Sequence, residues 1–257
     1  MLHQIRLSRR AILAGAMTAL AGPAMAQDTG LKVLAAGSAL HGLRPAAAQF
    51  SRETGIAVAV TTDHGHNIRK HALDGQAQAD LVLVPTEWAD EITAAGRADK
   101  TTMLAIGAVR MGAVVKAGAP RPDVSSMDAL RRTFVSADAV LLTLAPTGDH
   151  LMKVIERFGL TATVAPKLQR FDTATLLNKH LADNGTPGAI GFGPATEILA
   201  WRGKGVEWGG PVPDEIQIVL PYSAVVLSGA KAEPARKLLA FLATAPARKH
   251  FTDSGVE

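Results

Sequence analysis

Strand-like and helix-like hydrophobic patterns alternate along the chain. Residues 31–36 (LKVLAA) form a short apolar run suited to a covered strand. The segment 41–54 then places Leu43, Ala46, Ala47 and Phe50 at helical spacing before Gly55 stops it. Residues 56–61 alternate as a strand does, 67–73 read as a short helix, 80–84 (DLVLV) as a compact strand ended by Pro85, and 86–95 as a helix closed by Gly96. A β-α-β-α-β-α order of this kind implies parallel strands covered on both faces, because parallel neighbours need a crossover and the crossover helix packs on the sheet.

A second set follows. Residues 111–115 and 139–144 (AVLLTL) read as strands; between them Ser125, Ser126, Met127 and Asp128 give a capped start to a helix over 127–134. Pro146, Thr147 and Gly148 read as a turn feeding a helix over 149–158, closed by Gly159, and 173–183 is a further helix before a short strand at 189–192. Near the end, 216–220 and 223–227 read as strands split by Pro221. A helix over 234–243 stops near Pro246, and a last helical piece follows. No internal repeat, low-complexity tract or flexible linker marks a clean division.

The first 26 residues follow another pattern. Arg6, Arg9 and Arg10 make a basic start, an apolar, Ala-rich stretch runs over 11–20, and Gly22, Pro23 and then Ala24, Met25 and Ala26 complete the layout of an export signal with cleavage expected after Ala26. The apolar stretch is too short to anchor in a bilayer about 30 Å thick. Residues 8–13 (SRRAIL) also resemble a twin-arginine signal, and an ordinary secretory signal holding two arginines fits as well. Either route places the mature chain in the periplasm.

Removing this segment changes the charge picture. The whole chain has 27 basic and 23 acidic residues; with three arginines and no acid removed, 24 basic residues face 23 acidic ones. No dense basic patch with interleaved aromatics occurs, which gives nucleic-acid binding no support. The chain has no cysteine, which excludes a disulfide framework and thiolate metal sites.

In open parallel sheets, ligands bind beyond the carboxyl ends of the strands, where helix N-termini present free N–H groups and partial positive charge. Four segments fall at such places: 36–39 with Gly37 and Ser38, 62–67 with Thr62, Asp63, His64 and His66, 145–150 with Thr147 and Gly148, and 191–196 ending in Thr196 before a short helix through Glu197 and Ile198. Ordinary capping uses the same Gly, Ser and Thr residues, so no one segment decides anything. Taken together, their donors suit a small anion. Asp63 would repel one, and fits better as a helix cap facing away.

Catalysis and metal binding have thinner support. His64, His66, His71 and His150 are the imidazoles that could hold zinc or copper, but no Glu or Asp stands at the helical spacing of a catalytic zinc motif. Gly-X-Ser-X-Gly, the P-loop and the dinucleotide fingerprint are all missing. The expectation is a protein that needs no cofactor and catalyses nothing.

The order of these segments resembles the periplasmic molybdate-binding protein family of ABC importers, and more closely its orphan relatives of unassigned ligand. Residues 31–54 look like the family's opening strand, Ser-bearing loop and first helix, followed by Glu53, Thr54 and Gly55. Residues 78–83 (QADLVL) are similar to its third strand, Pro146, Thr147, Gly148 and Asp149 to a helix start, 189–192 to the strand before the last binding loop, and 233–241 with 251–255 to the closing helix and terminal Phe-x-x-x-Gly.

The resemblance implies a two-lobed type II periplasmic binding fold, each lobe a mixed, mostly parallel sheet flanked by helices. One lobe would take 27–107 plus 222–257 and the other 108–221, with crossings near 107–110 and 220–222. It further implies an oxyanion such as molybdate held between the lobes, an ABC permease in the inner membrane as partner, and a monomer. Ser38, Thr62, His64, Thr147, Gly148 and Thr196 are the expected ligand contacts. Two departures weigh against molybdate itself: Thr62, Asp63, His64, Gly65 and His66 stand where a Ser/Gly-rich loop is usual, and Pro194 where a tyrosine often meets the oxyanion. A small organic carboxylate would use many of the same donors, and the rivals of another class are a His-based periplasmic metal-binding protein or enzyme and a sensor subunit.

Overall fold

The computed structural model describes residues 30–257, with His64 and Ala145 outside that set. The expected export signal and the His64 candidate therefore lie outside the described residues, as does the side chain of His66.

In chain order the elements are β1 (Leu31–Ala35), α1 (Gly37–Thr54), β2 (Val58–Thr61), α2 (Gly65–Leu73), β3 (Leu81–Pro85), α3 (Thr86–Ala94), β4 (Leu104–Lys116), α4 (Met127–Ser136), β5 (Ala139–Thr143), α5 (Pro146–Arg157), α6 (Thr161–Val164), β6 (Leu168–Phe171), α7 (Ala174–Asn184), β7 (Ala189–Pro194), α8 (Ala195–Ala200), β8 (Val206–Pro211), β9 (Val219–Val226), α9 (Ala232–Leu242) and α10 (Ala245–Asp253). β1 pairs in parallel with β2 and β3, and β3 runs antiparallel to β9, which also pairs with the first half of β4 as far as Arg110. From Met111 onward β4 takes other partners, β7 and β8, and the ladder continues in parallel from β7 to β5 and from β5 to β6.

The buried side chains respect that change of partners. Leu43, Phe50, Leu83, Val225 and Phe251 belong to one apolar cluster. Phe134 and Phe192 centre a second, and Leu177 and Val206 a third, both built from residues after Arg110 and before β9. Each fully buried Leu or Phe contributes about 1.5–3 kcal/mol, so each lobe has its own apolar reason to hold together. This is the expected two-lobed α/β fold; β4 runs through both halves, while β9 pairs only with β3 and the first half of β4.

Several expected boundaries need correction. β9 is continuous through Pro221, where a break was expected. Pro221 faces Ala108, whose N–H and C=O are both bonded to Glu257 instead, so a residue without an N–H fits that place in the ladder. β4 begins at Leu104, earlier than its pattern suggests, because an irregularity at Gly107 (φ 148°) breaks the alternation. Pro146 opens α5 in place of a preceding turn, and Pro246 lies in the first turn of α10; both use a position where a missing N–H costs nothing. Likewise α1 starts at Gly37 and continues past Pro45. β6 and β8 were not expected: the first is only four residues long and half-buried, and the second carries two glycines.

Candidate functional site

The parallel strands of both lobes end at helix starts. β1 runs into α1 through Ala36, which has no side chain to cap the helix, so the first turn at Gly37 and Ser38 keeps backbone donors of an 18-residue helix. Ser38 is buried, and its Oγ donates to Glu197 Oε1 over 3.3 Å. Glu197 belongs to α8, which follows β7 in the other lobe and packs on α1. A Cβ at position 37 would lie 3.2 Å from that carboxylate oxygen, so Gly37 leaves the Glu197 side chain room to approach.

The buried Tyr222 of β9 lies near this pair, close enough for its phenol to feel the Ser38 hydroxyl and the Glu197 charge. Burial pushes the Glu197 carboxyl up to about 7, while the bond from Ser38 pulls the other way. Glu197 retains some accessible surface as a residue, yet its carboxyl end sits in the packing between α1 and α8 with no cation to offset its charge among the described residues. Burial likewise pushes the Tyr222 phenol up to about 12, opposed by Ser38 and helped by the Glu197 charge. At neutral pH, therefore, Tyr222 is a proton-bearing donor and Glu197 is divided between its two forms.

Around α8 the polar groups are sparsely satisfied. Asn178 is fully buried and donates through Nδ2 to the Glu197 carbonyl at 3.3 Å, but its Oδ1 has no partner; Thr196 is also fully buried, and its Oγ1 has none either. A buried polar atom left unpaired costs about 1–3 kcal/mol, and in a native protein it calls for an explanation.

In the same lobe as α8, Thr147 and Gly148 occupy the first turn of α5 and both are buried. Thr147 Oγ1 lies 3.3 Å from Thr143 Oγ1. A Cβ at Gly148 would fall 1.9 Å from the Thr143 carbonyl oxygen, which only glycine permits. Arg170 of β6 donates to that same carbonyl at 2.8 Å and to Asp149 at 2.7 Å, setting a cation at this helix start. Thr62 is exposed, with its hydroxyl 3.5 Å from the Asp63 carbonyl, while Asp63 accepts from Asn67 at 3.2 Å.

The expected contacts thus fall into groups. Ser38 and the α8 segment carrying Thr196 are brought together across the lobes. Thr147 and Gly148 form a separate group on Thr143, with no hydrogen bond to the first among the described residues. His150 is committed elsewhere, its Nε2 donating to the Ile216 carbonyl at 2.9 Å. Among the described residues no three His, Asp or Glu side chains gather as a metal site.

Sequence reasoning passed over Glu197, Tyr222, Asn178 and Arg170, along with a hydroxyl pair at the start of α3, Thr86 and Ser223, 2.8 Å apart. An acid in the first turn of a helix is ordinary dipole chemistry, so Glu197 gave no signal. Tyr222 is the single tyrosine of the chain, but it lies within an apolar strand. Only the tertiary fold sets the two beside Ser38.

A family model described as "Bacterial extracellular solute-binding protein" matches residues 31–257. The chain belongs to this family. Among solved structures, the solute-binding protein is similar to the periplasmic molybdate-binding protein of Azotobacter vinelandii, with a TM-score of 0.71 and 16% identity over 88% of this chain and 98% of that one. It is also similar to the sulfate-binding protein SubI of Mycobacterium tuberculosis, with a TM-score of 0.68 and 17% identity over 89% of this chain and 86% of that one. Both likenesses speak for the fold. Among curated proteins, the solute-binding protein is 26% identical over 258 aligned positions to an aconitate isomerase of a Pseudomonas species, covering 95% of this chain and 94% of the relative.

Proposed function

We propose that the protein is a periplasmic binding protein that captures a small carboxylate between its lobes, does no chemistry on it, and delivers it as a monomer to the inner-membrane permease of an ABC importer. In this reading the lobes part a few residues from the expected 107/108 and 221/222, after Arg110 and before Val219, and the hinge lies where β4 changes partners and where the chain enters β9. The observation that carries this reading is the set of buried hydroxyls at the strand-to-helix junctions of both lobes: Ser38 on α1, Thr147 on α5 and Thr196 on α8. First-turn amides beside them suit an oxyanion or a carboxylate. Closure would replace the ligand's water with these fixed donors.

The choice of a carboxylate over molybdate rests on two observations. Pro194 and the loop from Thr62 depart from the residues usual in molybdate binders. The curated relative named for aconitate is nearer in sequence than the structures named for molybdate and sulfate. Arg170, already paired with Asp149 and the Thr143 carbonyl, adds a positive charge near the start of α5 that favours an anionic ligand there. A thermal-shift screen of the mature chain against cis- and trans-aconitate, citrate, molybdate, tungstate, sulfate, phosphate and zinc tests this. A ligand at a hundredfold its Kd stabilises by about 2.7 kcal/mol. A tricarboxylate response is expected, and a response to molybdate or zinc alone would overturn the reading.

One observation favours a second reading, in which the bound carboxylate is also turned over. The near-full-length relative is an isomerase, and moving a double bond within an unsaturated carboxylate calls for a group that accepts a proton and returns it. Such a group works best when its pKa is close to the working pH, and Glu197 sits at about 7. In this reading the chain interconverts the isomers of an unsaturated tricarboxylate.

A further inference from the structure

An anion site is a poor place for an unpaired acid. Glu197 nevertheless projects from α8 against the first turn of α1, and the clearest ligand donor in the sequence, Ser38, is spent on it. Gly37 leaves space for the carboxyl that a larger residue would fill. Beside it, the buried Thr196 hydroxyl and Asn178 Oδ1 stand without partners. A residue serving only to join the lobes would be expected to carry a cation or a full set of donors, and Glu197 has neither.

We propose that Glu197 is the proton-transfer residue of this site, a role that rests on the second reading above. Its carboxylate removes a proton from the CH2 carbon next to a carboxylate group of the bound ligand. The electron pair spreads over the three-carbon unit as the old double bond gives way. The carboxylic acid then returns the proton to the far carbon, leaving the double bond one position along. One proton leaves and one is restored, so the step needs no oxidant, reductant or second reactant. The new double bond takes its cis or trans geometry from the conformation about the former CH2–C single bond when the proton leaves, so the same proton shift interconverts the two isomers.

Ser38 and Tyr222 act on Glu197 as positioning residues. The Ser38 hydroxyl steadies the ionised carboxylate, and the buried Tyr222 phenol stands near both groups.

Of the other titratable groups on the elements packed against α8, those on α7, β8 and β4 have partners of their own, and among the described residues none acts on the Glu197 carboxyl as Ser38 does. On α1, His41 lies near Arg44 and Lys204 and is lowered by burial and then by those charges. On α7, Lys179 pairs with Asp183 and His180 stacks on Phe171. On β8 Glu207 pairs with Arg121, and on β4 Arg110 pairs with Glu257 and Lys116 donates to the Gly185 carbonyl.

The test follows the two aconitate isomers by proton NMR in the presence of wild-type protein, Glu197→Gln and Ser38→Ala, with thermal shift as an independent readout of binding. Wild type is expected to interconvert the isomers. Glu197→Gln should still be stabilised by them while its turnover falls by about 10²–10⁴-fold, the usual contribution of a positioned acid or base. Ser38→Ala should move the acidic limb of the pH–rate profile to higher pH, because the bond that favours the ionised carboxylate is gone. Turnover that survives in Glu197→Gln, or a limb unmoved in Ser38→Ala, overturns the assignment while leaving the second reading in place. A wild type that binds both isomers but converts neither removes the second reading and this inference together, with the binding reading intact.

Discussion

Ser38 Oγ donates to Glu197 Oε1 over 3.3 Å, so a hydroxyl at the start of α1 in one lobe holds a carboxyl on α8 in the other. The contact joins segments 159 residues apart in sequence. It also makes Ser38→Ala informative, because the variant removes a donor and leaves the acid in place. Hydrogen bonds to charged groups contribute about 1.5–3 kcal/mol, here to the ionised form alone. The Glu197 side-chain carbon, followed by carbon-13 NMR, is expected to titrate at higher pH in Ser38→Ala than in wild type. An unchanged midpoint would show that the bond does not act on the carboxyl.

The same carboxyl gives a pH dependence of stability whose sign can be worked out. Its folded value of about 7 lies above the ordinary 4.5, so between these limits the folded chain holds a proton that the unfolded chain has released. This contribution is therefore favourable at low pH and is lost as pH rises through the window, by about 3 kcal/mol in total at 1.36 kcal/mol per unit. Urea melts at pH 5 and pH 8 should show Glu197→Gln gaining on wild type at the higher pH. Parallel behaviour of the two proteins would contradict the buried-acid assignment.

Gly148→Ala should destabilise strongly. Its Cβ would sit 1.9 Å from the Thr143 carbonyl oxygen, a backbone atom that Arg170 also holds. Overpacking of this kind costs about 1–3 kcal/mol or more, whereas alanine at Gly96, where nothing lies within 4 Å and φ is +70°, carries only the left-handed backbone penalty of about 1 kcal/mol. Thermal melts of the two variants should separate clearly, with Gly148→Ala the lower.

Phe192→Ala tests the second core. The ring is buried and packs at 5.5 Å from that of Phe134, and such truncations cost about 3–5 kcal/mol. By contrast, Arg110→Ala breaks an ion pair with Glu257 in which both side chains are well exposed, and chemical denaturation should register less than about 1 kcal/mol.

Much of this fold was legible in the sequence because local chemistry and tertiary structure agree. The apolar run of β3, the helical spacing of Leu43 and Phe50, and the Ser126 cap of α4, which accepts from Ala129 at 3.2 Å, all stand where their patterns set them. The failures arise where a residue's meaning depends on a distant partner. Pro221 reads as a break until Glu257 is seen taking both hydrogen bonds of Ala108. At the site, Ser38 was legible as a hydroxyl at a strand end. Glu197 was not, since its shifted carboxyl comes from burial between helices 159 residues apart.

The claim on which the rest depends is that a small carboxylate sits between the lobes. A crystal structure of the mature chain grown with cis-aconitate tests it most directly. The ligand is predicted to lie within hydrogen-bonding reach of the first turns of α1 and α5, close to Ser38 and Thr147. A ligand bound on an outer face, or lobes closed on each other with nothing between them, would contradict the account.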